Sequence, residues 1–213
     1  MTLRQYDAVA FDLLTALLDS WTLWENVAGS RAGAMAWRTA YLAHTYGTGA
    51  YRPYETLVAE AAVQVGLPAS LAHDLSARWD ELTPWPEVTR TLEHLSGEYR
   101  LAVVTNCSES LARRAAARVG PFSVVVSAER AGYYKPVETP YRLALSELGV
   151  PATRTLFVAG SAYDLDGAAR VGMPVFWHNR VGLVRPPEIP APLAESPSFS
   201  ALEKVLSAAA AHD

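Results

Sequence analysis

Polar side chains that could do chemistry follow four strand-like stretches of this chain. They are Asp12, Thr105, Asn106, Lys135, Ser161 and Asp164. In open parallel sheets, ligands bind at the edge where the carboxyl ends of the strands meet. An aspartate at that edge is either a cap of the following turn or a catalytic carboxylate.

Each of these residues also has a structural interpretation. Asn106 and Ser161 are good helix N-caps, and Asp164 complements the first turn of a helix. Lys135 suits a solvated loop. Taken singly, the structural interpretation is favoured for each residue. Their occurrence in this order along one sheet edge favours a functional site.

The elements that would position these residues follow from hydrophobic periodicity. Short apolar runs predict strands at 8–11, 99–105, 122–127, 156–159 and 174–177. Helical spacing predicts helices at 86–96, 108–119, 140–148, 163–171 and 199–210. The proline-rich stretch 184–197 is interpreted as a loop. This alternation predicts an α/β fold, in which a parallel sheet carries helices on both faces.

A helical insertion separates the first strand from the others. Apolar residues recur at helical spacing after Asp19, between glycine and proline breaks, until a double-proline hinge at Pro84 and Pro86. About four helices are expected there. We therefore predict a helical cap at 19–84 and one core domain at 1–18 and 85–213, with the ligand cleft between them.

Composition excludes several classes of function. The chain has 213 residues, of which 50% are hydrophobic and 19% charged, and its net charge is -4. Without a basic cluster, neither a nucleic-acid partner nor a membrane partner is expected. Apolar runs are too short to span a bilayer, and the N-terminus does not resemble a signal peptide. Together with the single cysteine, Cys107, this predicts a cytoplasmic protein.

Together, the motifs resemble those of the haloacid dehalogenase-like hydrolase superfamily over almost the whole chain. The resemblance rests on Phe11-Asp12, the helical insertion, Thr105-Asn106, Lys135-Pro136 and the loop from Gly160 to Asp164. It implies a Rossmann-like three-layer α/β/α core and a mobile cap inserted after the first strand.

Most members of that superfamily are Mg²⁺-dependent phosphatases, and this chain departs from them at two positions. Their general-acid aspartate, two residues after the nucleophile, is replaced by Leu14. Their metal-binding aspartate in the last loop is replaced by Gly160. Mg²⁺ prefers hard oxygen ligands, and a halide, unlike an alkoxide, needs no proton to leave. No metal or cofactor is therefore expected, and Mg²⁺ enters only under a phosphatase alternative.

Further motifs resemble those of the L-2-haloacid dehalogenases. Trp37-Arg38 with Tyr41-Leu42 in the cap resembles the segment that carries their halide-binding arginine. Tyr141 stands where they have an active-site tyrosine. The stretch 176–182 resembles their Trp-x-Asn-Arg-x-Gly motif. The resemblance implies a small anionic substrate, a short 2-haloacid, and a homodimer.

The resemblance also implies a role for each site residue. Asp12 would form an ester with C2 of the haloacid, Lys135 would keep Asp12 ionised, and Asp164 would activate water. Further substrate contacts are expected from Arg38 and Asn106 at the halide, from Thr105 and the amides that follow Asp12 (Leu13, Leu14) at the carboxylate, and from Ser161, Tyr141, Leu42, Tyr54 and Tyr163.

Three departures keep alternatives open. The family's usual threonine position holds Ala16, and the sequence leaves open whether Thr15 reaches Asp12 instead. Ala159 and Ser161 replace the usual serine and asparagine. Besides the dehalogenase, a phosphatase-like hydrolase and a catalytically weak binding or regulatory member of the fold therefore remain possible interpretations.

Overall fold

The computed structural model describes residues 4–208. Six parallel strands form one sheet in the order β3-β2-β1-β4-β5-β6. The strands are β1 (Ala8–Phe11), β2 (Arg100–Thr105), β3 (Val124–Ser127), β4 (Thr155–Ala159), β5 (Val175–His178) and β6 (Ala194–Ser196). The strand order reverses on either side of β1, so the end of β1 lies at the switch point where ligands bind in such sheets.

Ten helices accompany the sheet within the described residues. They are α1 (Ser20–Ala28), α2 (Arg31–Thr48), α3 (Tyr54–Gln64), α4 (Leu71–Ala77), α5 (Val88–Ser96), α6 (Glu109–Ala116), α7 (Ala128–Ala131), α8 (Glu138–Leu148), α9 (Ala162–Arg170) and α10 (Ser200–Ala208). Short 3₁₀ turns lie at Trp79–Glu81 and Ala152–Arg154. No helix in this part of the chain combines the length and the apolar character needed to cross a bilayer.

The strands are buried on both faces, as their continuous apolar sequences predict. In β1, Val9 and Phe11 join the core cluster on one face, while Ala8 and Ala10 join the cluster on the other. The same alternation places Val103 of β2 on the first face. Helices cover both clusters, so the predicted Rossmann-like three-layer α/β/α core is confirmed.

The inserted helices α1 to α4 pack on one another around buried tryptophans, with the Trp24 and Trp37 rings 4.5 Å apart. The two ends of the insertion run side by side. The Asp19 amide donates to the Thr83 carbonyl at 2.8 Å, and the Trp85 amide donates to the Leu17 carbonyl at 3.1 Å. These contacts support our proposal that the cap comprises residues 19–84.

Two short elements were not expected from the sequence. The prediction of a loop over 184–197 is wrong near its C-terminal end, where β6 forms and pairs with β5. The four-residue α7 is fixed by a Ser127 cap at its start and by Gly132 at φ 73° at its end. Neither element is long enough to show a periodic pattern. The last two residues of the predicted helix 199–210 lie outside the described part of the chain.

Candidate active site

Asp12 directly follows β1, and its carboxylate is bound by backbone and side-chain groups of the loop that comes next. Its carboxylate is nearly buried, with 7% of the residue exposed. One oxygen, Oδ2, accepts hydrogen bonds from the Thr15 amide (2.9 Å), the Thr15 hydroxyl (2.6 Å) and the Ala16 amide (3.2 Å). Thr15 therefore reaches Asp12, which answers the question that Ala16 leaves open in the sequence.

Lys135 joins the two carboxylates. Its Nζ lies 2.9 Å from Asp12 Oδ1 and 3.0 Å from Asp164 Oδ1, and all three side chains are buried. Asn106 fixes the lysine backbone, because its Oδ1 accepts from the Lys135 amide at 2.8 Å and its Nδ2 donates to the Lys135 carbonyl at 3.0 Å. Residues 123 positions apart in sequence thus form one ionic cluster.

Tyr141 completes this cluster from behind. Its hydroxyl donates to Asp164 Oδ1 at 2.7 Å. The approach requires a small residue on α9, because a Cβ at Gly167 would lie 2.7 Å from the tyrosine hydroxyl. Tyr141 contacts the site through Asp164 and does not line the cavity in front of it.

The two carboxylates differ in acidity. Burial acts to raise the pKa of Asp12, but the Lys135 charge and the hydrogen bonds from Thr15 and Lys135 hold it below its usual range. Burial raises the pKa of Asp164, and the hydrogen bond from Tyr141 offsets only part of that rise. Such a separation is typical of sites in which one carboxylate stays ionised and another accepts a proton.

A cavity of about 60 Å³ lies in front of Asp12. The sheet edge contributes Asp12, Leu14, Thr15, Asn106, Lys135, Gly160, Ser161 and Asp164, the inserted helices contribute Trp21, Arg38, Tyr41, Leu42 and Tyr46, and a late loop contributes Leu183. The cavity is thus enclosed between the core and the inserted helices, where the sequence predicted the ligand cleft.

Arg38 is the one arginine on this wall. Its guanidinium lies 3.8 Å above the centre of the Trp21 ring, and its Nη1 donates to the Ser20 hydroxyl at 3.0 Å. Its buried Nε has no hydrogen-bond partner among residues 4–208. A buried donor without a partner is costly, so packing alone does not account for this charged side chain in the cavity wall.

Three of the side chains expected at the site lie elsewhere. Thr105 has the same orientation in β2 as Val103, so it faces the core and contacts Cys107 rather than the cavity. The Leu13 side chain is also in the core cluster, but the expectation for Leu13 concerns its backbone amide and stays a prediction. Tyr54 packs edge-on against Tyr41 and lies behind it. Tyr163 is 42% exposed and stacks on Tyr46 outside the cavity.

Several cavity residues were missed by the sequence interpretation. Tyr46 lies eight residues after Arg38 on the same face of α2, a spacing that predicts it. Its hydroxyl is 3.3 Å from Ser161 Oγ. Tyr41 was noted only as part of a motif. Trp21 and Leu183 had no such signal, because the packing of α1 and of a loop determines their positions.

The residues in the cavity do not fit Mg²⁺. Leu14 offers no oxygen, and a Cβ at Gly160 would overlap the Thr15 hydroxyl and the Ala16 nitrogen, so a carboxylate cannot stand there without rearrangement. Both acidic side chains already bind the Lys135 ammonium. Residues 4–208 contain no group of three or more His, Cys, Asp and Glu side chains that could hold a metal ion.

Comparisons with known proteins agree with this geometry. The chain is 29% identical over 201 residues to (S)-2-haloacid dehalogenase from Pseudomonas sp. (strain YL), covering 83% of this chain and 84% of that protein. It is 26% identical to (S)-2-haloacid dehalogenase H-109 from Pseudomonas putida, covering 85% and 89% of the two chains. A crystal structure of a dehalogenase superposes with a TM-score of 0.83 at 26% identity, covering 96% and 98%.

The family model for haloacid dehalogenase-like hydrolases matches residues 6–172, which include the loop after Asp12, the inserted helices, Lys135 and Asp164. The chain belongs to the haloacid dehalogenase-like hydrolases.

Proposed function

We propose that this protein hydrolyses the carbon–halogen bond of short 2-haloalkanoic acids and releases 2-hydroxy acids. The asymmetric hydrogen bonding of Asp12 carries this proposal. Oδ2 accepts three hydrogen bonds, whereas within the described residues Oδ1 is bound only by the Lys135 ammonium. A carboxylate oxygen has room for more than one donor, so Oδ1 keeps a lone pair for attack. The names of the relatives support the same reaction.

In the first step, Oδ1 of Asp12 attacks C2 of the haloacid. The new oxygen–carbon bond forms as the carbon–halogen bond breaks, and the halide leaves with the bonding electrons. Attack from the side opposite the halide inverts C2. Arg38 and the second Nδ2 hydrogen of Asn106 are the donors that receive the halide, where charge develops in the transition state.

In the second step, water attacks the Asp12 carbonyl carbon and gives a proton to Asp164. The ester carbonyl oxygen is then Oδ2, which already lies among three donors from Thr15 and Ala16. These donors stabilise the negative charge of the tetrahedral intermediate. Its collapse breaks the bond between the Asp12 carboxyl carbon and Oδ1. Oδ1 takes the proton from Asp164 and leaves as the hydroxyl of the 2-hydroxy acid. The water oxygen stays on Asp12, which loses its remaining proton to solvent and is again a carboxylate.

Release of halide from racemic 2-chloropropionate, with EDTA present, tests the function. We expect one equivalent of chloride for each equivalent of lactate, and no effect of EDTA, because the site does not fit Mg²⁺. Absence of chloride release together with Mg²⁺-dependent cleavage of a phosphate ester would overturn the proposal. It would favour the phosphatase-like alternative instead.

Replacing Thr15 with valine removes one donor from Oδ2 and keeps the shape of the side chain. We expect kcat to fall about 100-fold to 1,000-fold, the usual loss for one donor to a developing oxyanion. The second step should slow more than the first, so the covalent ester should accumulate and be visible by intact-protein mass spectrometry.

Thr15→Ser is the matched control, because serine keeps a hydroxyl at this position. It should retain most of the activity and show no accumulated ester. Equal losses in the serine and valine variants would show that the hydroxyl does not act on Oδ2.

Replacing Tyr141 with phenylalanine removes a hydrogen bond that lowers the pKa of Asp164. The pKa of Asp164 should then rise further, because a hydrogen bond to its ionised form is lost. Asp164 accepts a proton only when ionised, so the acid limb of the kcat profile should move to higher pH. A pH profile of halide release measures this.

Tyr133→Phe is the matched control, since Tyr133 is 43% exposed and does not line the cavity. Its profile should coincide with that of the unmodified protein. A Tyr141→Phe variant that loses activity without any displacement of the acid limb would contradict a role through Asp164.

A further inference from the structure

The stretch 176–182 builds a fixed turn after β5. Asn179 Oδ1 accepts from the Leu183 amide at 2.7 Å, and its Nδ2 donates to the Leu183 carbonyl at 2.8 Å. Gly182 supports the turn at φ 69°, a conformation that glycine adopts without strain. One asparagine side chain thus binds both backbone groups of Leu183 and determines where that residue lies.

The same stretch is anchored to the loop that holds the nucleophile. Arg180 donates to Glu87 Oε1 at 2.7 Å and lies 5.1 Å from the centre of the Trp85 ring. The Trp85 indole in turn donates to the Thr15 carbonyl at 3.2 Å. The turn therefore keeps a constant position relative to Asp12.

Leu183 is part of the wall that separates three cavities; this wall, formed by Trp21, Arg38 and Leu183, is called the partition below. With Trp21 and Arg38 it lines the cavity of about 60 Å³ in front of Asp12. The same three residues also line two outer cavities, of about 280 Å³ and 320 Å³. Only these three side chains are shared by all three cavities within the described chain.

The three partition residues differ in what holds them. Arg38 stacks on Trp21 and binds Ser20, so both cap residues are fixed by polar and aromatic contacts. Leu183 contributes only an apolar side chain, whose backbone is held independently by Asn179. Shortening Leu183 therefore removes volume from the partition and leaves its other members in place.

We propose that Leu183 sets the upper size limit for the substituent on C2 of the 2-haloacid, and that Asn179 is the positioning residue for it. This inference rests on the proposed function. A closely packed wall excludes a substituent that is too large for the cavity. One additional methylene group then lowers kcat/KM by about 10-fold to 200-fold. Opening the partition joins the inner cavity to outer cavities several times its volume.

The test compares kcat/KM for 2-chloropropionate, 2-chlorobutanoate and 2-chlorohexanoate in the unmodified protein and in Leu183→Ala. The ratio for 2-chlorohexanoate over 2-chloropropionate should rise about 10-fold or more in the variant. Leu193→Ala, the same change at a residue 58% exposed in the same loop, should leave the ratio unchanged.

A second variant tests the opposite direction. Leu183→Phe enlarges the side chain, so 2-chlorobutanoate should lose more activity than chloroacetate. Asn179→Ala should relax the size limit as Leu183→Ala does, with a larger change in the ratio of substrates than in kcat for chloroacetate. Circular dichroism and thermal unfolding verify that each variant is folded.

The outcomes separate this inference from the function on which it rests. Halide release by the unmodified protein with unchanged substrate ratios in both Leu183 variants overturns the role of Leu183 alone. Failure of the unmodified protein to release halide from any of the acids overturns the proposed function, and the size limit with it.

Discussion

Asp12→Asn should abolish halide release, with a loss of at least about 10⁴-fold in kcat, because an amide oxygen is not a usable nucleophile here. The loss should be the same for every haloacid tested, since both chemical steps pass through this carboxylate. Chloride release under saturating 2-chloropropionate measures the effect. No ester should be detected on the variant.

Asp7→Asn is the matched control for that experiment. Asp7 lies before the opposite end of β1, and its exposed side chain pairs with Arg154. Its replacement should change activity less than about twofold, because surface ion pairs contribute little. Retention of substantial halide release in Asp12→Asn would show that Asp12 is not the nucleophile and would remove the basis of the mechanism.

Lys135→Met should lose at least about 10³-fold in activity at neutral pH. Methionine preserves length but leaves Asp12 and Asp164 as two buried carboxylates without a cation. Because the lysine charge lowers the pKa of Asp12, its removal raises that pKa, and the nucleophile becomes protonated. Residual activity should therefore increase as the pH rises through the new pKa of Asp12.

The same variant should also be less stable, by about 3 to 5 kcal/mol near neutral pH, because an unpaired buried charge is costly. The sign of the pH dependence follows from the carboxyl pKa values. In the folded variant, the pKa values of Asp12 and Asp164 lie above their values in the unfolded chain. Protonation of these carboxyls therefore stabilises the folded state, and this stabilisation is lost as the pH rises through the folded-state pKa. The loss of unfolding free energy relative to the unmodified protein should therefore be smaller at low pH. Urea unfolding at several pH values measures it.

The matched control is available within the chain, since Lys204 is its one other lysine and lies exposed on α10. Lys204→Met should match the unmodified protein in activity and in free energy of unfolding. Equal effects in the two methionine variants would show that Lys135 has no special function.

The sequence predicts the parts of this site that depend on the sheet. Asp12, Asn106, Lys135 and Asp164 come together because each follows a strand, and parallel strands end at one edge. Arg38 and Leu42 were found by their resemblance to a known segment. The positions at the sheet edge follow from connectivity, and the two cap positions follow from a sequence motif, so neither group required knowledge of side-chain packing.

The parts that could not be predicted depend on packing and local geometry. Alternation along β2 turns Thr105 into the core, and a strand end alone does not reveal that orientation. The hydroxyl of Thr15 reaches Oδ2 because the loop after Asp12 folds back on the carboxylate. Leu183 reaches the cavity through a turn that Asn179 closes. The homodimer and the cytoplasmic location stay predictions.

A single turnover in ¹⁸O-labelled water, with protein in excess over 2-chloropropionate, tests the Asp12 ester most directly. Because water attacks the Asp12 carbonyl carbon and not C2, we expect the label in the peptide that contains Asp12 and none in the lactate from that turnover. Labelled lactate together with an unlabelled Asp12 peptide would mean that water displaces the halide directly, and it would contradict nucleophilic catalysis by Asp12.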